Sequence, residues 1–241
     1  MRRALLVLTF AALVALAVAC ARSQEVKTED IVSTVPWPDQ ERAEYVLLDR
    51  DSGEEVLRGV LTSTRTGDQY ELSLSFSGEQ GSDESTVIVD AATLKPLSIR
   101  REQRTDETRV IEGDYDATAG LLQITEVSGD DRRAVPLRLK DHYYDNESSL
   151  FLWRTIAFAE DYKASYYTVL ASQNTQHVVT LRVKGKEQVT VPAGTFDTWR
   201  LEIEAAGRRQ NAWFADTPER PLVRYDNTVQ LFELTAYTPG E

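Results

Sequence analysis

Residues 70–76 alternate without exception: Tyr70, Leu72, Leu74 and Phe76 are apolar, while Glu71, Ser73 and Ser75 are polar. A period of two puts successive side chains on opposite faces of an extended chain, so this is a strand with one buried face. Similar short runs recur almost to the end, separated by turn residues. Asp51-Ser52-Gly53, Gly78 to Ser82, Asp90 to Pro96, Asp116 to Gly120, Ala206-Gly207 and Asp216 to Pro221 all punctuate the chain. Gly185-Lys186 reads as a further two-residue turn between Val178–Val183 and Val189–Val191. Short strands with regular turns and no alternating helices exclude a doubly wound sheet. The expected fold is mainly β: an antiparallel meander forming a strongly curved sheet or half-open barrel that clasps one α-helix.

That helix is expected at about 146–159. Asp145 or Asn146 can cap it, and Glu147 suits the positive end of the helix dipole. Leu150, Phe151, Leu152, Trp153, Ile156, Ala157 and Phe158 make it apolar on a broad surface, which calls for packing against a sheet.

The first nineteen residues stand apart. Arg2 and Arg3 precede an apolar run from Ala4 to Ala19 broken only by Thr9, and the chain turns polar directly after Cys20. This is the pattern of a secretory signal peptide, and the run is shorter than the roughly 20 residues of a membrane span. Leu16-Ala17-Val18-Ala19-Cys20 resembles the lipobox of bacterial lipoproteins, with Ala17 where that motif prefers Leu. The resemblance implies that Cys20 is acylated and becomes the first mature residue, so that the protein is held in the bacterial cell envelope by lipid. Ala21 in place of Asp after Cys20 favours the periplasmic face of the outer membrane in a cell with two membranes, and otherwise the outer face of the cell membrane. The domain reading is then a leader over 1–19, a tether over 20–40 with Trp37 docking near the start of the fold, and a single β-rich domain over 41–241.

Losing the leader takes 27 basic residues to 25 against 39 acids, a formal charge of −14. Phosphate backbones and anionic headgroups select Lys and Arg clusters, so nucleic acid is excluded as a partner and the acyl group on Cys20 is the expected membrane attachment. Cys20 is also the only cysteine. The body therefore owes nothing to disulfides or thiolate metal sites and must bury a core, which 222 residues can do.

The most distinctive run is Val189-Thr190-Val191-Pro192-Ala193-Gly194-Thr195-Phe196-Asp197, followed by Trp199. Proline ends one strand, glycine supplies the turn, and Phe196 and Trp199 fall on opposite faces of the next. This run resembles an uncharacterised family of exported bacterial proteins, domain of unknown function 3108. Trp213-Phe214, Pro221-Leu222-Val223-Arg224-Tyr225, the Thr93-Leu94-Lys95-Pro96 turn and Tyr144-Asp145-Asn146-Glu147 are similar to it too, over roughly residues 85–235. The resemblance implies a fold and brings no catalytic residues. More weakly, the architecture is similar to that of envelope lipoprotein carriers, whose curved sheet wraps a helix and leaves room for acyl chains.

Signals for chemistry are sparse. His142 and His177 lie far apart and outside any H-E-x-x-H spacing, and no G-x-S-x-G or phosphate-binding loop occurs. Asp49 to Glu55 and Asp114 to Asp116 lack the spacing of a calcium loop and read as solvated turns. No enzyme activity, cofactor or metal is expected. Aromatic residues on the helix and the sheet, namely Phe151, Trp153, Phe158, Trp199 and Trp213, either fill a core or line a pocket for an apolar small molecule or lipid. Three function classes follow: a non-catalytic envelope protein with an apolar ligand between helix and sheet, a protein–protein interaction module with a filled core and an exposed apolar patch, or a hydrolase using His142 or His177.

Overall fold

The computed structural model describes residues 26–240. Cys20 and the leader expected over residues 1–19 lie outside the described residues. Fifteen strands form one sheet: β1 Gln40–Asp49, β2 Glu55–Thr66, β3 Gln69–Gly78, β4 Gly81–Asp90, β5 Pro96–Arg104, β6 Thr108–Asp116, β7 Leu121–Ser128, β8 Asp131–Arg138, β9 Tyr143–Asp145, β10 Lys163–Leu170, β11 Thr175–Val191, β12 Gly194–Ala205, β13 Arg208–Ala215, β14 Leu222–Asp226 and β15 Gln230–Pro239. Their order is β8 through β1, then β15 down to β9, so the first and last long strands pair at the middle of the sheet. Every pairing is antiparallel except β9 with β10. The sheet is open, with β8 and β9 as its edges.

The expected meander is present, and Tyr70, Leu72 and Leu74 point into the core as their alternation requires. Two local expectations are corrected. Gly185 does not turn the chain. β11 runs straight through it, and the register slips by one residue between Val183 and Gly185, a bulge that Gly185 permits at φ 107°. The helix is much shorter than expected. Only Ser149–Leu152, here α1, is α-helical, flanked by 3₁₀ turns at Asn146–Ser148 and Trp153–Thr155. Asp145 is the cap, its Oδ1 accepting the Glu147 amide at 2.8 Å. At the other end the Thr155 hydroxyl bonds the Leu152 carbonyl at 2.7 Å and Ile156 turns extended, which ends the helix before a second turn can form.

From Ser148 to Ile156 this segment is buried. The Arg154 guanidinium forks onto the Glu41 carboxylate of β1, and also donates to the Glu219 and Arg220 carbonyls. Residues ahead of β1 also pack onto the body: Glu29 bonds the Ser165 carbonyl, Ser33 and Thr34 bond that of Thr155, and Trp37 meets Tyr70 and Phe151 edge-on. The chain thus packs on the body from Glu29, within the stretch expected as a tether, and Trp37 docks near the start of the fold.

Most buried apolar residues belong to one core. A second, smaller cluster joins Ile111 of β6 and Leu122 and Ile124 of β7 to Val169 of β10. Around it Tyr115 stacks on Tyr143 with centroids 5.8 Å apart, and its hydroxyl donates to Asp145 at 2.5 Å. Arg109 donates to the Ser172 carbonyl, while the Gln176 amide bridges Arg138 and Lys140. Side chains, rather than a backbone ladder, therefore bring the β6–β8 end of the sheet against the β9–β10 end.

A candidate ligand cavity between the helical segment and the sheet

Pairing register builds the site. Across β10 to β13, Tyr166 opposes Val179, Val179 opposes Ala205 and Ala205 opposes Arg208. The next row runs Ala164, Leu181, Ile203, Gln210. Since facing residues share a side of the sheet, Arg208 and Gln210 occupy the same face of β13 as the buried Ala212 and Phe214. Thr168 opposes His177 one step beyond the first row, near the end where β10 turns into β11 and β12 into β13.

At that end a cavity of about 380 Å³ opens between the helical segment and the sheet, within the roughly 300–1,000 Å³ of small-molecule pockets. Its apolar wall is a chain of aromatic rings. Trp153 lies 5.7 Å from Tyr225, Tyr225 lies 5.2 Å from Phe232, and Phe232 lies 5.6 Å from Phe76. The Trp153 indole N–H donates to the Tyr166 hydroxyl at 2.8 Å, which orients the ring. Leu74, Leu150, Val179, Ile203, Ala205 and Val229 complete the apolar lining, and Asn146, Glu147, Ser149, Thr168, Arg208, Gln210 and Asn227 supply polar atoms.

The polar lining is unevenly satisfied. Glu147 pairs with Arg101 at 3.1 Å, and Arg101 also grips Asp83 at 2.5 Å. The neighbouring Asp145 is fully buried, and burial, with the Glu147 charge, pushes its carboxyl up to about 7. Burial pushes Glu147 upward too, against the pull of Arg101. In contrast, the Thr168 hydroxyl is buried with no hydrogen-bond partner, a state that costs free energy unless something fills it.

The aromatic residues singled out in the sequence separate. Trp153 alone of the five lines the cavity. Phe151 is fully buried against Trp37. Phe158 stacks on Trp199 at 6.1 Å and meets Phe214 at 5.6 Å, at the opposite end of the inward row that begins at Arg208. Trp199 is further capped by Lys186 and bonded to Asp216. Trp213 faces the other side of β13 and donates to Glu187. His142 anchors a loop, its carbonyl accepting the Tyr167 amide and its Nδ1 lying 3.3 Å from Asp30, and it does not approach His177. The polar cavity residues were legible in one respect: the alternation Arg208, Gln210, Ala212, Phe214 places two polar residues on an apolar face.

Among solved structures, a β-barrel-like protein of domain of unknown function DUF1849 from Brucella abortus aligns with 85% of this chain and 99% of its own, at TM-score 0.52 and 11% identity. That similarity is one of fold alone. A Bacteroides fragilis protein described as having a YmcC-like fold aligns over 86% of this chain and 99% of its own at TM-score 0.30 and 12% identity. No curated protein sequence matches the chain. The family profile described as "Protein of unknown function (DUF3108)" matches residues 46–231, which holds every strand from within β1 into β15. The chain is a member of the DUF3108 family.

Proposed function

We propose that this is a non-catalytic envelope protein, anchored by lipid on Cys20, whose curved sheet clasps the helical segment and binds an apolar or lipid ligand between them. The observation that carries the reading is the aromatic-walled cavity at that junction, with Trp153 oriented in its wall. A core that merely needed filling would close over such a space, because interiors are packed to crystal-like density. An interaction module would instead present a contiguous apolar surface. The exposed large apolar side chains among the described residues are Val26, Val56, Leu97 and Val229, and Val229 lies at the cavity.

The test is extraction and mass spectrometry of the Cys20→Ser chain purified without detergent. The expected result is a soluble folded protein carrying a stoichiometric apolar molecule. A protein that stays on the membrane counts against the anchor, and one that carries nothing and takes up no apolar probe counts against the ligand.

A further inference from the structure

Several polar side chains lining the cavity carry donors without a protein partner. Gln210 Oε1 already accepts from the Tyr225 hydroxyl, and Asn227 Oδ1 accepts the Val229 and Gln230 amides at 2.9 and 2.7 Å. What remains is the side-chain NH₂ of each half-buried amide and, deeper in the cavity, the buried Thr168 hydroxyl, which has no partner among the described residues. Arg208 adds a guanidinium on the inward face of β13, and among the described residues it makes no ion pair, in a chain with a formal charge of −12. The one carboxylate in the lining, Glu147, is paired with Arg101, which offsets its charge, and takes both Arg101 and Asn146 on Oε1. A rim with spare donors and one spare cation above an apolar wall matches a ligand with a single anionic head and an apolar body.

We propose that the cavity selects an anionic amphiphile, with a carboxylate or phosphate monoester head held at Arg208, Gln210, Asn227 and Thr168, and its chain along Phe76, Phe232, Tyr225 and Trp153. This rests on the reading of the cavity as a ligand site and adds the chemistry of the head. Arg208 is the specificity determinant: a guanidinium pairs with either head through two parallel N–H bonds. It is exposed at a strand end, so replacing it leaves the core intact.

The test is calorimetric titration of the Cys20→Ser chain with palmitate, hexadecyl phosphate and hexadecanol below their aggregation concentrations. The same titrations are run on Arg208→Ala and Arg208→Lys in that background, with circular dichroism confirming the fold. Expected are binding of at least one anionic probe about tenfold or more tighter than hexadecanol, loss of that margin in Arg208→Ala, and partial recovery in Arg208→Lys. Palmitate against hexadecyl phosphate then distinguishes a fatty acid from a phosphate-headed lipid. If hexadecanol binds as tightly as both anions and Arg208→Ala changes nothing, the anionic head is wrong while the apolar site stands. If none of the three binds, both fall.

Discussion

Thr168 and Val169 are neighbours on β10, and their side chains enter two different interiors. The Thr168 hydroxyl lines the cavity beside the helical segment, while Val169 packs against Ile111, Leu122 and Ile124 from the far end of the sheet. β10, next to the sheet's edge, is therefore buried on both faces, one of them against β6 and β7 from the other end of the same sheet.

The two residues should therefore respond oppositely to substitution. Thr168→Val keeps the shape and removes an unpartnered buried hydroxyl. Its unfolding free energy in urea should stay level or rise by about 1–2 kcal/mol. Val169→Ala should cost about 2 kcal/mol by emptying part of the second cluster. A clear loss of stability in Thr168→Val would mean that the hydroxyl has a partner in solution.

Glu41 and Arg154 form a fully buried pair joining β1 to the helical segment. Breaking one side strands a charge. Glu41→Gln or Arg154→Met should each cost about 3–5 kcal/mol, and Glu41→Leu with Arg154→Met should cost much less than the sum. Additive losses in denaturant titrations would show that the two charges are not coupled.

Asp145 sets a pH dependence of known sign. Its folded carboxyl titrates near 7 against an ordinary 3.8, so the native state holds a proton that the unfolded chain has released across that window. Stability from this group is full below about pH 4 and falls as pH rises towards 7. Glu147 adds to the same trend. Asp90 and Asp216, held below their ordinary value by hydrogen bonds to Thr93 and Lys186, act in the opposite sense, but only at lower pH. Denaturation between pH 5 and 8 should show a smaller decline in Asp145→Asn than in the parent chain. An unchanged slope would remove Asp145 as its source.

Gly113 marks a close approach between β5, β6 and β7. A Cβ there would lie 2.7 Å from Ile99 Cγ2 and 2.9 Å from Leu122 Cδ1. Gly113→Ala should cost about 1–3 kcal/mol through overpacking, read as a lower melting temperature. A melting temperature at or above that of the parent would show that Ile99 and Leu122 have room to move.

Much of the sheet was legible because one-sided burial writes a period of two into the chain, as at Tyr70 to Phe76. The resemblance of the Val-Pro-Ala-Gly-Thr-Phe-Asp run named the right family, since its glycine and proline mark a turn that the structure contains. Errors fell where a local signal has two physical solutions. Gly185 permits a bulge as readily as a turn, and the 146–159 run is apolar enough for a long helix although Thr155 and Ile156 end it early. Tyr143–Asp145, a three-residue parallel strand, has too short a pattern to read. At the site, aromatic residues drew attention as a class, yet position along the inward row decides their use. Trp153 lies at the open end, while Phe158 and Trp199 lie at the other. Which end stays open depends on where the helical segment lodges, a long-range contact fixed by pairs such as Glu41 and Arg154.

The most direct measurement is a crystal structure of the Cys20→Ser chain with a brominated long-chain fatty acid, using anomalous scattering to locate the bromine. The account predicts bromine density inside the cavity beside Trp153, Tyr225 and Phe232, with the carboxylate at Arg208. An empty cavity in crystals grown with saturating ligand, or bromine only on the outer surface of the sheet, would contradict it.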